Sequence, residues 1–260
     1  MEYIAMVKGL DVFRDHFKDF QGCYVLIGGV ACYLAMEEAG VDFRATKDLD
    51  IVLCAEALDS AFITHFWEFI KAGNYQNQQK STGDKQFYRF DKPATEGYPF
   101  MLELFSRAPD QLEISDDAHL TPIPADEEIS SLSAILLDED YYECIQNGKI
   151  LIENVPVLGS EFILPFKAKA WLDLTERKQD GQGIDSRAIK KHRNDVFRLS
   201  VLLTPTQRVE LPDSIKQDME QFLLSMSKEE GVNLKNFGVA SSLDDTLKNL
   251  RTIYQLDETS

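Results

Sequence analysis

The stretch RATKDLDIVL, Arg44–Leu53, sets two carboxylates, Asp48 and Asp50, at the mouth of an apolar run. Side chains along a strand reverse direction at each residue, so both acids face one side and Leu49 the other. Like charges held on one face repel, and a fold gains nothing from that arrangement by itself. The neighbours of the doublet therefore decide its meaning.

Upstream, CYVLIGG (Cys23–Gly29) reads as a short buried strand ending in a glycine pair, and VACYLAMEEAG follows with helical spacing up to Gly40. Glycines between a strand and a helix let the backbone approach a ligand, and the helix N-terminus behind them offers free N–H groups to an anion. Downstream, MLELF places Glu103 alone between Leu102 and Leu104. Buried carboxylates are expensive unless paired or bound to metal. Three acids converging from two strands make a poor core and a good cage for a hard divalent cation. The structural alternative is simpler: Asp48 as a turn residue, Asp50 paired with Arg44 or Lys47, and Glu103 paired with Arg107.

Composition bounds the rest. The chain has 260 residues, 44% hydrophobic and 27% charged, as expected of a globular protein with one large domain or two small ones. No apolar run approaches the roughly 20 residues that span a bilayer. The first residues, MEYIAMVKGLDVFRDHF, lack the basic start and apolar centre of a signal peptide, which predicts a cytoplasmic protein. Cys23, Cys32, Cys54 and Cys144 form no CxxC pair and the four histidines are scattered, so a zinc site is not expected and the cysteines read as reduced core residues. A net charge of −17 argues against indiscriminate nucleic-acid binding, although Lys167–Arg193 carries eight basic against four acidic residues. That segment reads either as a local anion site or as a solvated helix face.

The spacing predicts helices over 8–20, 30–40 and 57–73, strands at 23–29 and 49–55, and a polar loop over 74–85. KQFYRF and PFMLELFSR read as two more strands around the turn formers DKPATEGY. Residues 109–131 are acidic, contain Pro122 and Pro124 and show no period, while SAILLDEDYYECI and KILIENVPVLG read as strands around QNGK. From Ser160 onward the chain turns helical, over SEFILPFKAKAWLDLTERK, IDSRAIKKHRNDVFRLSVLL, 211–228 and 243–255. A boundary is expected near residue 159.

IGG, then DLDI, then LELF resembles the nucleotidyltransferase superfamily with the DNA polymerase β-type fold. RATKDLD is similar to the R-x-[ST]-x-D-h-D (h, apolar) of the AbiEii-type abortive-infection nucleotidyltransferase toxins. The resemblance covers 22–54 and 99–105 well and 160–200 loosely. It implies an α+β fold: a nucleotidyltransferase-type mixed β-sheet with flanking helices as catalytic domain (1–159), followed by a helical C-terminal domain (160–260). It implies an Mg²⁺- or Mn²⁺-dependent enzyme moving a nucleoside monophosphate from a nucleoside triphosphate to a hydroxyl acceptor. The acceptor is left open between tRNA, protein and a small molecule. Asp48, Asp50 and Glu103 are then the catalytic and metal-holding residues. Gly28, Gly29, Arg44, Thr46, Lys167, Lys169 and Lys191 are the nucleotide-binding ones. On a helix Lys167 and Lys169 point about 200° apart, so one of the two is expected to face the cleft. Lys191 and Asp195 are spaced to pair along their own helix. The family further implies a toxin with an antitoxin protein as partner, and no membrane. Two other classes compete: an inactive binding module that keeps the fold, and a phosphatase or nuclease using paired acids.

Overall fold

The computed structural model describes residues 7–44, 46–54, 57–81, 86–106, 121–123, 135–136, 138–229 and 231–256. The chain divides into two compact units, one formed by 1–126 and 149–159, the other by 127–148 and 160–260. Of the described residues before the hairpin, 135–136 and 138–148 group with the helical unit rather than with the sheet.

The first unit is built on one mixed sheet. In chain order its elements are α1 (Leu10–His16), β1 (Tyr24–Ile27), α2 (Gly28–Glu38), β2 (Asp48–Leu53), α3 (Ser60–Gly73), β3 (Tyr75–Ser81), β4 (Gln86–Pro93), β5 (Met101–Ser106) and β6 (Thr121–Ile123). A later hairpin, β7 (Lys149–Ile152) and β8 (Val155–Leu158), returns to the same sheet. The eight strands lie in the order β6-β3-β4-β5-β2-β1-β8-β7. β1 runs antiparallel to β2, and β2 parallel to β5, which places Asp50 beside Ile27 on one side and Glu103 on the other.

Alternation along β2 is visible in its burial, with Leu49 and Ile51 fully covered and Asp48 and Asp50 half-covered. The apolar face formed by Leu49, Ile51, Leu102, Leu104, Tyr88 and Phe90 is buried. Phe66 and Trp67 of α3 pack edge-on against Phe90 there, and Phe13 of α1 does the same against Tyr24. Each such aromatic contributes about 1.5–3 kcal/mol by leaving water. α3 starts where Asp59 accepts the Phe62 N–H at 2.8 Å and stops at Asn74 in the left-handed conformation. α2 is buried at every position from Gly29 to Met36, as a helix apolar on all its faces requires.

The second unit is helical, with α4 (Glu139–Asn147), α5 (Ser160–Gln179), α6 (Ser186–Leu199), α7 (Asp213–Lys228) and α8 (Leu243–Ile253), plus short 3₁₀ turns at Ser200–Leu202 and Leu234–Phe237. Ile163, Leu174, Phe197, Met219, Phe222 and Leu250 form part of its core. No helix among the described residues is long and apolar enough to cross a membrane.

Two expectations are corrected. Tyr75–Ser81, expected as a polar loop, is a strand, held by antiparallel pairing to β4 rather than by any apolar alternation of its own. Part of SAILLDEDYYECI, expected as a strand, is the helix α4. Asp138 caps it by accepting the N–H groups of Asp140 and Tyr141, and Tyr141, Tyr142, Cys144 and Ile145 fall on one buried face. The aromatic content suited either element, and the cap decided. The prolines 122 and 124 fall at the edge of what is described; 121–123 pair with β3.

Candidate active site

The site grows from the end of β1. Gly28 has φ +64°, and a Cβ built on it would stand 1.7 Å from Asp50 Oδ2. A side chain at Gly28 and the Asp50 carboxylate therefore cannot coexist, and the glycine is required twice, for conformation and for space. The Gly29 N–H, at the start of α2, donates to Asp50 Oδ2 at 3.3 Å. A Cβ on Gly29 would meet Thr46 Oγ1 at 2.7 Å, so Thr46 closes the other side of the turn. The glycine turn, Thr46 and Asp50 are one packed constellation.

Register extends it across the sheet. Asp50 is the cross-strand partner of Glu103, and Glu103 that of Arg89 on β4. Paired residues share a face, so Asp50, Glu103 and Arg89 form one polar row. Asp48, Met101 and Asp91 form the next row on the same face. Glu103 is 8% exposed. Burial, and then the nearby Asp50 carboxylate, push its carboxyl well above the usual carboxylate range, while Arg89 pulls the other way. Arg89 donates from Nε at 3.0 Å and from Nη2 at 2.7 Å, both to Oε1.

The expected partners of the acids are thus revised in part. Glu103 is held by Arg89, which the sequence reading did not single out; Arg107 lies outside the described residues. Lys47 places its ammonium 6.0 Å from the Phe100 ring, and the Arg44 guanidinium lies 5.4 Å from the Phe43 ring. Arg89 has a signal of a kind in the sequence, as a cation between the apolar Tyr88 and Phe90 of a strand, but only the register of β4 on β5 gives it a partner.

Lys167, Lys169 and Lys191 belong to the second unit. Lys167 is 6% exposed and reaches Asp195 Oδ2 at 3.6 Å, with Arg198 on the other oxygen at 3.5 Å. Lys169 donates to Asp218 Oδ1 at 2.8 Å, and the Tyr141 hydroxyl donates to Oδ2 of the same carboxylate at 3.0 Å. Lys191 is half-buried on α6. On α5, Lys167 is buried and Lys169 is partly exposed.

Oxygen ligands suited to a hard cation stand on one face: Asp50 and Glu103 side by side, with Asp48 two residues along β2. Among the described residues, no group of three or more His, Cys, Asp or Glu side chains is gathered closely enough to hold a metal ion. The fit therefore rests on the Asp50–Glu103 pair, whose crowding of like charge a divalent cation would relieve.

No family model matches the chain. No curated protein matches it either. Among solved structures, it is similar to an antigenic nucleotidyltransferase-like protein from Paracoccidioides brasiliensis, at 16% identity over 94% of each chain, with a TM-score of 0.46.

Proposed function

We propose that this protein is an Mg²⁺-dependent nucleotidyltransferase that moves a nucleoside monophosphate from a nucleoside triphosphate to a hydroxyl acceptor. The observation that carries the reading is the seating of Asp50 on the Gly28–Gly29 turn with Glu103 as its cross-strand neighbour. A side chain on that turn would exclude the carboxylate, and nothing in sheet packing asks for a buried acid with a second one beside it.

In this reading Asp50 and Glu103 would hold Mg²⁺, with Asp48 of the next row as a proposed third ligand, and the ion would polarise the phosphates and steady charge on the oxygens that attack and leave. The N–H groups opening α2 and the Thr46 hydroxyl bind phosphate oxygens, and the lack of side chains on the turn lets the triphosphate come close. Arg44, two residues before Thr46 in sequence, supplies positive charge to the phosphates. Glu103, in its carboxylate form, would act as base toward the acceptor hydroxyl. Lys167, Lys169 and Lys191 remain proposed phosphate ligands; Lys167 would have to exchange Asp195 for phosphate to act so. We further propose that the acceptor is a cellular RNA or protein and that the chain acts as the toxin of a toxin–antitoxin or phage-defence pair in the cytoplasm.

The test is incubation of the protein with each radiolabelled nucleoside triphosphate, Mg²⁺ and whole-cell RNA and protein. The expected result is label on one acceptor class, lost on chelation and in Asp50→Asn. Absence of transfer from all four triphosphates, with no binding of any of them, would overturn the reading.

A further inference from the structure

We infer that Arg89 is the positioning residue of the third carboxylate: it fixes Glu103 through one oxygen and leaves the other for a cation shared with Asp50. This inference rests on the metal-holding reading of the acids and adds to it a residue on a third strand.

The decisive observation is how the guanidinium meets the carboxylate. An arginine beside a free carboxylate commonly takes both oxygens with parallel N–H bonds. Here both donors, Nε at 3.0 Å and Nη2 at 2.7 Å, converge on Oε1. This fork leaves Oε2 unused, and Asp50 is the cross-strand neighbour of Glu103 on the side of the row opposite Arg89. The side chains of Arg89 and Glu103 are 21% and 11% exposed, so water competes little for these bonds. Arg89 is fixed in turn by strand register, opposite Glu103 on one side and Gln79 on the other. A ligand carboxylate that must present one oxygen gains from a partner that locks its rotation. Such outer partners typically carry a 10–100-fold effect on metal affinity.

A second role for the same cation would be simple charge compensation, and it predicts the opposite signs. Arg89→Lys keeps the charge and loses the fork, because an ammonium cannot direct two N–H bonds in a fixed plane to one oxygen. Arg89→Ala removes the charge and with it the repulsion of an incoming cation.

The experiment is a titration with Mn²⁺ alone, read by its electron paramagnetic resonance signal, on the full chain and on Arg89→Lys, Arg89→Ala and Glu103→Gln. Positioning predicts that Arg89→Lys weakens Mn²⁺ binding by roughly tenfold or more, and that Arg89→Ala weakens it as well. The double variant Arg89→Lys/Glu103→Gln should bind as Glu103→Gln does, since nothing is left to position. A lysine variant that binds like the parent, or an alanine variant that binds more tightly, overturns the role of Arg89 while leaving the carboxylates as ligands. A parent that binds no Mn²⁺ overturns both. If Arg89→Lys does not fold, Arg89→Gln replaces it in the same cycle, and additivity with Glu103→Gln there overturns the inference.

Discussion

At the residue scale, the glycine turn offers a comparison that separates strain from collision. Gly28 and Gly40 both sit at positive φ, +64° and +68°, but a Cβ on Gly40 meets nothing within 4 Å while one on Gly28 lands on Asp50. Any L side chain in that backbone region costs about 1–2 kcal/mol. Gly40→Ala should therefore lose about that much stability in urea unfolding and keep any triphosphate binding. Gly28→Ala should lose more, because Asp50 must leave its seat, and should lose binding with it. Equal losses for the two variants would mean that Asp50 moves aside freely and that the turn is not its seat. Arg89 belongs to this scale too: one side chain, placed by register, changes what the neighbouring acid can present.

At the scale of elements, α1 and α3 are joined by more than aromatic packing. The His16 and His65 rings stack, with centroids 3.9 Å apart, and each Nε2 bonds to the other's backbone carbonyl, at 3.0 and 2.7 Å. A carbonyl can only accept, so both rings carry their proton on Nε2. Protonation of both would set two like charges face to face. Burial, the first cause, holds the His16 pKa below 6.5; His65 lowers it further, while the His65 carbonyl and Glu68 oppose. A base whose folded pKa lies below its unfolded value binds more protons unfolded. Its contribution is then present above pH 6.5 and lost as pH falls towards the folded value. Melting temperatures measured from pH 7.5 to 5 should fall more steeply for the parent than for His16→Gln. Parallel curves would show that the stack has no titratable role. No local pattern hints at this contact, since the two histidines stand far apart along the chain and meet only because α1 and α3 cover the same apolar face.

For the whole molecule, a net charge of −17 makes the placement of each cation matter. Of the eight cations in the segment Lys167–Arg193, read as either an anion site or a solvated helix face, four pair with acids of their own unit: Lys167 with Asp195, Lys169 with Asp218, Arg177 with Asp173 and Arg193 with Glu229. These pairs differ in worth. Asp195 is fully buried, and removing one partner of a buried pair typically costs about 3–5 kcal/mol, of which Arg198 on the other oxygen of Asp195 offsets a part. The Lys169 side chain is 34% exposed, so its pair is screened and contributes about 1 kcal/mol or less. Lys167→Ala should accordingly destabilise the protein far more than Lys169→Ala in urea unfolding. If Lys167→Ala unfolds like the parent but no longer responds to added triphosphate, the buried ammonium serves the ligand and not the fold.

What the sequence determined by itself was everything carried by short-range pattern. Alternation in DLDIVL fixed which way Asp48 and Asp50 face, and the glycine pair after YVLI fixed a turn that a ligand or a carboxylate can enter. The long helical periods from Ser160 onward marked a separate helical unit. These follow from local geometry, with periods of two and 3.6 residues and the conformations only glycine adopts cheaply. What only the tertiary structure decided depends on which segments pair. YQNQQKS became a strand because β4 offered it hydrogen bonds, and α4 joined the helical unit despite a strand-like composition. Glu103 drew Arg89 because strand register brings residues 14 apart in sequence to adjacent positions on one face. Register is a property of the assembled sheet: a slip of one residue would send Arg89 into the apolar core and leave Glu103 without a partner.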